Sequence, residues 1–346
     1  MGWLSHARDR LIGMPRVRLN LALQGGGSHG AFTWGVLDRL LDERRIGYDG
    51  LSGASAGAIN AVAFASGYLE GGREGARNSL ERLWRTVSDQ AQLGPLQATP
   101  LDYLLHGWNR DWSPGFLLMN SLTRMASPYQ LNPSGYNPLL RVLADTVDFE
   151  RLRRDPRLRL FVSATRVRTG GVTLFRNSEL SPKAVAASAC LPLLFHAIEI
   201  DGEAYWDGGY TANPALWPLV LECRAKDLLL IQLTPPERRD LPTSVPEIVD
   251  RANEIAFNAN LMRELEVLGM LRKGIAAVHH GLPWRAHRLH ALDTGTVTEG
   301  MGRNSRINAD WKFLCHLRDE GRTAAEKWLQ RCGGHLGRRS SFTTGT

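Results

Sequence analysis

Residues 17–57 read VRLNLALQGGGSHGAFTWGVLDRLLDERRIGYDGLSGASAG. Val17 to Gln24 alternates and then runs apolar, the pattern of a strand entering a sheet. Ala31 to Leu41 spaces Phe32, Val36, Leu37, Leu40 and Leu41 as a helix does, and Tyr48 to Ser52 is a short second strand. Two glycine turns therefore sit where a strand hands over to a helix. The first, Gly25-Gly26-Gly27-Ser28-His29-Gly30, offers bare backbone N–H groups at a helix N-terminus, a setting suited to a negative oxygen. The second, Gly53-Ala54-Ser55-Ala56-Gly57, is a nucleophile-elbow pattern, which puts a serine hydroxyl on a tight turn. An oxyanion hole facing a nucleophile is the machinery of acyl transfer from an ester.

Outward from this stretch, Ala56 to Leu69 is apolar all round and reads as a buried helix behind the elbow. Arg73 to Val87 is amphipathic, with Leu80, Leu83, Trp84 and Val87 on one face. Further on, the pattern predicts a helix near Asn137–Val147, strands at Leu158–Thr165 and Gly171–Phe175, and a helix at Pro182–Ala189. Ile198-Glu199-Ile200 and Ala204-Tyr205-Trp206 flank Asp201-Gly202, a hairpin with a two-residue turn. Leu228 to Leu233 is a continuous apolar run, expected as a central parallel strand buried on both faces. A long helix from Val245 to Leu271, a strand at His287–Leu292 and a closing helical pair at Asn308–Leu317 and Thr323–Leu329 complete the reading. Strands alternating with helices predict an α/β fold whose sheet is covered on both faces. The boundaries that follow are an arm at 1–16, a catalytic domain at 17–235 with an insertion at 89–138, a mainly helical extension at 236–332, and a disordered Gly/Ser/Thr/Arg tail at 333–346.

Composition narrows the function classes. No apolar run approaches the ~20 residues that span a bilayer, and Met1 to Pro15 offers no secretory core. Cys190, Cys223, Cys315 and Cys332 are far apart and read as reduced thiols of a cytoplasmic protein. The net charge of +7 comes from arginine, with only Lys183, Lys226, Lys273, Lys312 and Lys327 as lysines. These arginines are interleaved with acids, the pattern of solvated faces and not of a nucleic-acid surface. The charge is compatible with peripheral attraction to acidic membranes, and a homo-oligomer stays open.

A serine hydroxyl needs a base and a stabilised oxyanion before it attacks. Gly53 and Gly57 leave the turn at Ser55 uncrowded, and the N–H of Ala56 stands next to the nucleophile. Asp207 is the candidate base, at the end of a hairpin strand and followed by Gly208-Gly209; the alternative is an Asx turn that merely closes a loop. In this order, the three motifs resemble those of the patatin-like phospholipases and acyl hydrolases, over roughly residues 18–235. The resemblance implies a three-layer α/β/α sandwich and a Ser–Asp pair working without a histidine. It makes Ser55 the nucleophile, Asp207 the base, and the N–H groups of Gly25, Gly26 and Gly27 the oxyanion hole, with a lipid or other acyl ester as substrate. The region after 235 looks like the extra domain of a bacterial subgroup of that family. The reading requires no cofactor and no metal. One departure is His29, where family members often carry Arg or Lys; loss of that charge favours a simple esterase over a phospholipase acting on anionic headgroups.

The insertion at 89–138 loads Trp108, Trp112, Phe116 and Leu117 among prolines and glycines, as a wall for an acyl chain or as a local structural cover. Three other readings compete. The first turn also fits G-x-G-x-x-G, with Asp49 about twenty residues on as a ribose-binding acid, which would make the chain a dinucleotide-dependent oxidoreductase. A full Ser–Asp–His triad could draw on His279, His280, His287, His290 or His316. A non-catalytic lipid-binding relative would use the same pocket without turnover.

Overall fold

Alternate residues of one strand report on two cores. In Asp227–Gln232 (β7), Leu229 and Ile231 join one apolar cluster while Leu228 and Leu230 join another. Such a period-2 split requires a sheet buried on both faces. The computed structural model describes residues 17–91, 108, 125–234, 236–238, 241–277, 287–298 and 301–342.

Val17–Leu23 (β1) is followed by a 3₁₀ turn at Gly27–His29 and by Gly30–Leu41 (α1). Ile46–Gly53 (β2) leads into Ala56–Ala91 (α2), where the two expected helices join end to end across Gly71 and Gly72, which leave helical geometry. Pro138–Thr146 (α3), Phe149–Arg154 (α4), Arg159–Arg166 (β3), Val172–Arg176 (β4) and Pro182–Ser188 (α5) follow. Ile198–Ile200 (β5) and Glu203–Asp207 (β6) form the expected hairpin, with Asp201 and Gly202 both at positive φ as its two-residue turn demands. Trp217–Glu222 (α6), β7, Val245–Ala277 (α7), Arg288–Asp293 (β8) and Trp311–Cys332 (α8) complete the order.

The strands run β5-β6-β3-β2-β1-β7-β8, with β4 paired to β3 off this path. Pairings among β3, β2, β1, β7 and β8 are parallel; those of β3 with β4 and β6, and of β5 with β6, are antiparallel. One face packs against α1, α2 and α8 through residues such as Phe32, Phe64 and Phe313, and the other against α6 and α7 through Leu216, Leu219, Leu261 and Leu265. The region after 235 therefore contributes an edge strand and a helix to each face of the same sandwich.

Two expectations fail here. The closing helical pair is a single helix, α8. Gly321 lies between the two expected helices yet sits mid-helix, and a Cβ there would lie 2.1 Å from the carbonyl oxygen of Phe32 in α1. It is a packing glycine at a close helix crossing. The tail expected to be disordered is ordered through Phe342. The N–H groups of Ser341 and Phe342 donate to the Leu289 carbonyl, and Gly337 N–H donates to Asp227 Oδ1 at 3.0 Å. A polar composition could not reveal this, because the tail serves unpaired backbone along the edge strand β8.

Candidate active site

Both glycine turns emerge at the carboxyl ends of adjacent parallel strands β1 and β2, the end at which open α/β sheets bind ligands. Ser55 has φ +53, a left-handed conformation that a non-glycine residue holds only when its surroundings enforce it. Enforcement comes from several sides. Ser55 N–H donates to the carbonyl oxygen of Ser188 at 3.1 Å and to its Oγ at 2.9 Å, and Ser55 C=O receives Ile59 N–H at 3.1 Å. A Cβ on Gly57 would lie 2.0 Å from the Leu23 carbonyl oxygen, so only glycine lets α2 start this close to β1. Asn60 ties the two helix starts together: its Nδ2 donates to the carbonyls of Gly30 and Ala56, and its Oδ1 accepts from Trp84 Nε1.

The first turn lies directly on the elbow, since a Cβ on Gly25 would be 2.8 Å from Ser55 Cβ. Gln24 anchors it, accepting Leu233 N–H and Thr234 N–H at Oε1 and donating from Nε2 to Asn258 Oδ1. Of the four N–H groups expected to face an oxyanion, that of Gly25 is already donated to Asn213 Oδ1 at 2.8 Å. It serves to fix the turn. The N–H groups of Gly26, Gly27 and Ala56 have no protein partner among the described residues.

Asp207 ends β6 with no exposed surface. Its N–H donates to the Cys190 carbonyl and its own carbonyl accepts Thr165 Oγ1, both at 2.8 Å. Oδ1 accepts Gly209 N–H at 2.7 Å, while Oδ2 has no hydrogen-bond partner among the described residues. Burial pushes the carboxyl up to about 7, against the opposing pull of the Gly209 N–H bond and the Ser55 hydroxyl. Gly208 and Gly209 are held by crowding, the first against the Ser163 carbonyl and the second against the Phe257 ring of α7. Ser55 and Asp207, more than 150 positions apart in sequence, are both buried, and the Ser55 hydroxyl acts on the Asp207 carboxyl.

A family model for patatin-like phospholipases matches residues 21–220, which hold all three motifs. The chain belongs to the patatin-like phospholipase family. Lipid acyl hydrolysis is the general activity that membership carries. No curated relative matches the sequence. Among solved structures the patatin-like chain is similar to VipD from Legionella pneumophila, at 14% identity and a TM-score of 0.41 over 92% of this chain and 68% of that one. It is also similar to the type III effector ExoU, at 16% identity and a TM-score of 0.33 over 92% of this chain and 53% of that one. ExoU from Pseudomonas aeruginosa also appears in a heterodimeric complex with SpcU, where the likeness is 15% identity and a TM-score of 0.35 over 92% of this chain and 52% of that one. At these scores none of the likenesses bears on activity or partners.

The other residues singled out in the sequence have structural partners. Asp49 is buried and accepts the N–H groups of Arg224 and Ala225, so it is committed to the loop before β7 and is not free for a ribose. His290 bridges Asp227 Oδ1 and Ser341 Oγ near the amino ends of β7 and β8, away from Ser55. His316 stacks on Trp108, whose ring also meets Phe313, so Trp108 covers α8. Trp112, Phe116, Leu117, His279 and His280 lie outside the described residues. His29 is buried, with Nε2 2.8 Å from Ser305 Oγ; burial first, then the nearby Arg306, lowers it to about 3, so it is neutral at pH 7.

Sequence reading missed Ser188, Asn213, Ser305 and Arg306. Ser188 ends an alanine-rich helix and Asn213 lies in a short loop, neither with a motif of its own, and the last two come from the C-terminal region, far along the chain from the turn they contact.

Proposed function

We propose that this patatin-like protein is a serine esterase cleaving carboxylic ester bonds of lipids through an acyl-enzyme intermediate, with Ser55 as nucleophile and Asp207 as its direct base. The observation that carries this reading is the buried Asp207 carboxyl, with Oδ2 unpartnered among the described residues and the Ser55 hydroxyl acting on the group. The Ser55 proton passes to Asp207 as Oγ attacks the ester carbonyl, and the developing oxyanion is received by the N–H groups of Gly26, Gly27 and Ala56. Collapse of the tetrahedral species expels the alcohol, which takes the proton back from Asp207. Water then repeats the sequence on the acyl-enzyme and releases the acid. No histidine is required, because a carboxyl raised to about 7 is already matched to proton transfer near neutral pH.

This assignment fixes a pH profile. Only ionised Asp207 accepts the proton, so kcat/KM for a p-nitrophenyl ester should rise with pH through about 7 and fall tenfold per unit well below it. An ordinary exposed carboxylate would leave the rate flat down to about pH 4. A rate still at its plateau at pH 5, measured on an ester stable at that pH, would remove Asp207 from the role of base.

A further inference from the structure

His29 beside the oxyanion turn is neutral at pH 7, yet the turn is not without positive charge. A 3₁₀ segment at Arg303–Ile307 packs onto it. Gly27 has φ +60, and a Cβ there would lie 2.1 Å from the Arg306 carbonyl oxygen, so the Arg306 backbone rests directly against Gly27. Ser305 holds His29 from the same segment.

The Arg306 side chain is about one-third exposed, at 35%. Its one hydrogen bond among the described residues is a long one, Nη2 to Glu254 Oε1 at 3.3 Å. Its other guanidinium N–H groups have no partner among the described residues. Glu254 is only 5% exposed and also receives Arg238 Nη2 at 2.7 Å and Arg251 Nη1 at 3.3 Å. Three guanidinium groups thus share one carboxylate. The other acids that act on them are Asp250, on Arg238 and Arg306, and the exposed Glu247, on Arg238. Glu247 is itself engaged by the backbone N–H groups of Thr243 and Ser244. Arg306 is the least well served of the three: burial and Arg238 outweigh its acids and draw it below the usual arginine range.

We propose that Arg306, backed by Arg238, forms an anion subsite beside the oxyanion turn that takes the headgroup phosphate of a phospholipid while its ester carbonyl lies at Ser55. A guanidinium fork matches two phosphate oxygens, and fixed cations beside the nucleophile favour an anionic substrate over a neutral one. The subsite rests on the esterase reading above, but it belongs to the C-terminal region and not to the three motifs.

The test compares two substrates that differ only in the headgroup. Dioctanoyl phosphatidylglycerol and dioctanoylglycerol, presented in the same neutral detergent micelles, are hydrolysed by wild type, Arg306→Gln and Arg306→Lys. Wild type should favour the phospholipid in kcat/KM by about tenfold or more, the scale of one charge-assisted pair. Arg306→Gln should abolish most of that ratio, and Arg306→Lys should keep part of it, since charge remains and the fork is lost. An undiminished ratio in Arg306→Gln, or a loss that falls equally on both lipids, overturns the subsite. Binding of the same lipids to Ser55→Ala protein needs no turnover, so it tests the subsite even if the esterase reading fails. There too, Arg306→Gln should weaken the phospholipid alone. Inorganic phosphate competing as strongly as the phospholipid would reassign the site to the free anion and overturn the headgroup claim. Should Arg306→Gln not fold, Arg238→Gln on the rim should lower the same ratio by about threefold, and an unchanged ratio there counts against the proposal.

Discussion

Ser55→Ala is expected to reduce ester hydrolysis by roughly 10⁴-fold or more, about 5 kcal/mol of transition-state stabilisation. The fold should survive the change, because the elbow is held by backbone and glycine contacts and not by the hydroxyl. Ser55 N–H is anchored on Ser188, and the α2 start depends on Gly57. Alanine at positive φ is no worse than serine there, since both carry a Cβ. The loss should lie in kcat, with micelle binding retained. Assays of wild type and variant on a p-nitrophenyl ester, with thermal melts run in parallel, check it. A variant within about tenfold of wild type would mean that another group attacks.

Asp207→Asn should also lose nearly all activity, and in addition should make the protein more stable at alkaline pH. The folded carboxyl keeps its proton up to about 7, whereas the unfolded one releases it near 3.8. Between those values the folded state binds more protons, so stability falls as pH rises from about 4 to about 7. Above that window the native protein carries the cost of a dry, charged carboxylate, on the order of 4 kcal/mol for a shift of this size. Asparagine is close to isosteric, keeps an acceptor for Gly209 N–H and has no charge to bury. Chemical denaturation of both proteins at pH 4, 6 and 8 should show the variant gaining on wild type as pH rises. Parallel curves would mean that the carboxyl is hydrated and unperturbed, which is incompatible with its role as a base active near pH 7. A site residue that destabilises its own fold is a recurrent cost of catalysis.

Much of this was legible along the chain because local rules and long-range packing agree there. The apolar run at Leu228–Leu233 called for a strand buried on both faces, and β7 divides its side chains between two cores. Gly25 to Gly30 and Gly53 to Gly57 announced strand-to-helix turns, and both occur. The sequence could not say which N–H groups stay free. Gly25 looks like its neighbours until Asn213, 188 positions further along the chain, accepts its N–H. The gap expected between Leu317 and Thr323, where Gly321 lies, and the disorder expected after Gly333 fail for a related reason. Glycine and small polar residues signal breaks and disorder when partners are unseen. Here those partners are the Phe32 carbonyl in one case and the edge of β8 in the other. Likewise, His29 reads as a lost charge, while Arg306 lies at the same turn in space and nearly 280 residues away in sequence.

The identity of the nucleophile is tested most directly by its covalent adduct. Wild-type protein is treated with a fluorophosphonate, digested, and the modified peptide is sequenced by mass spectrometry. A single phosphonyl adduct on Ser55, absent from Ser55→Ala and formed far more slowly in Asp207→Asn, is the predicted result. An adduct on a different residue, or undiminished labelling of Ser55→Ala, would contradict it.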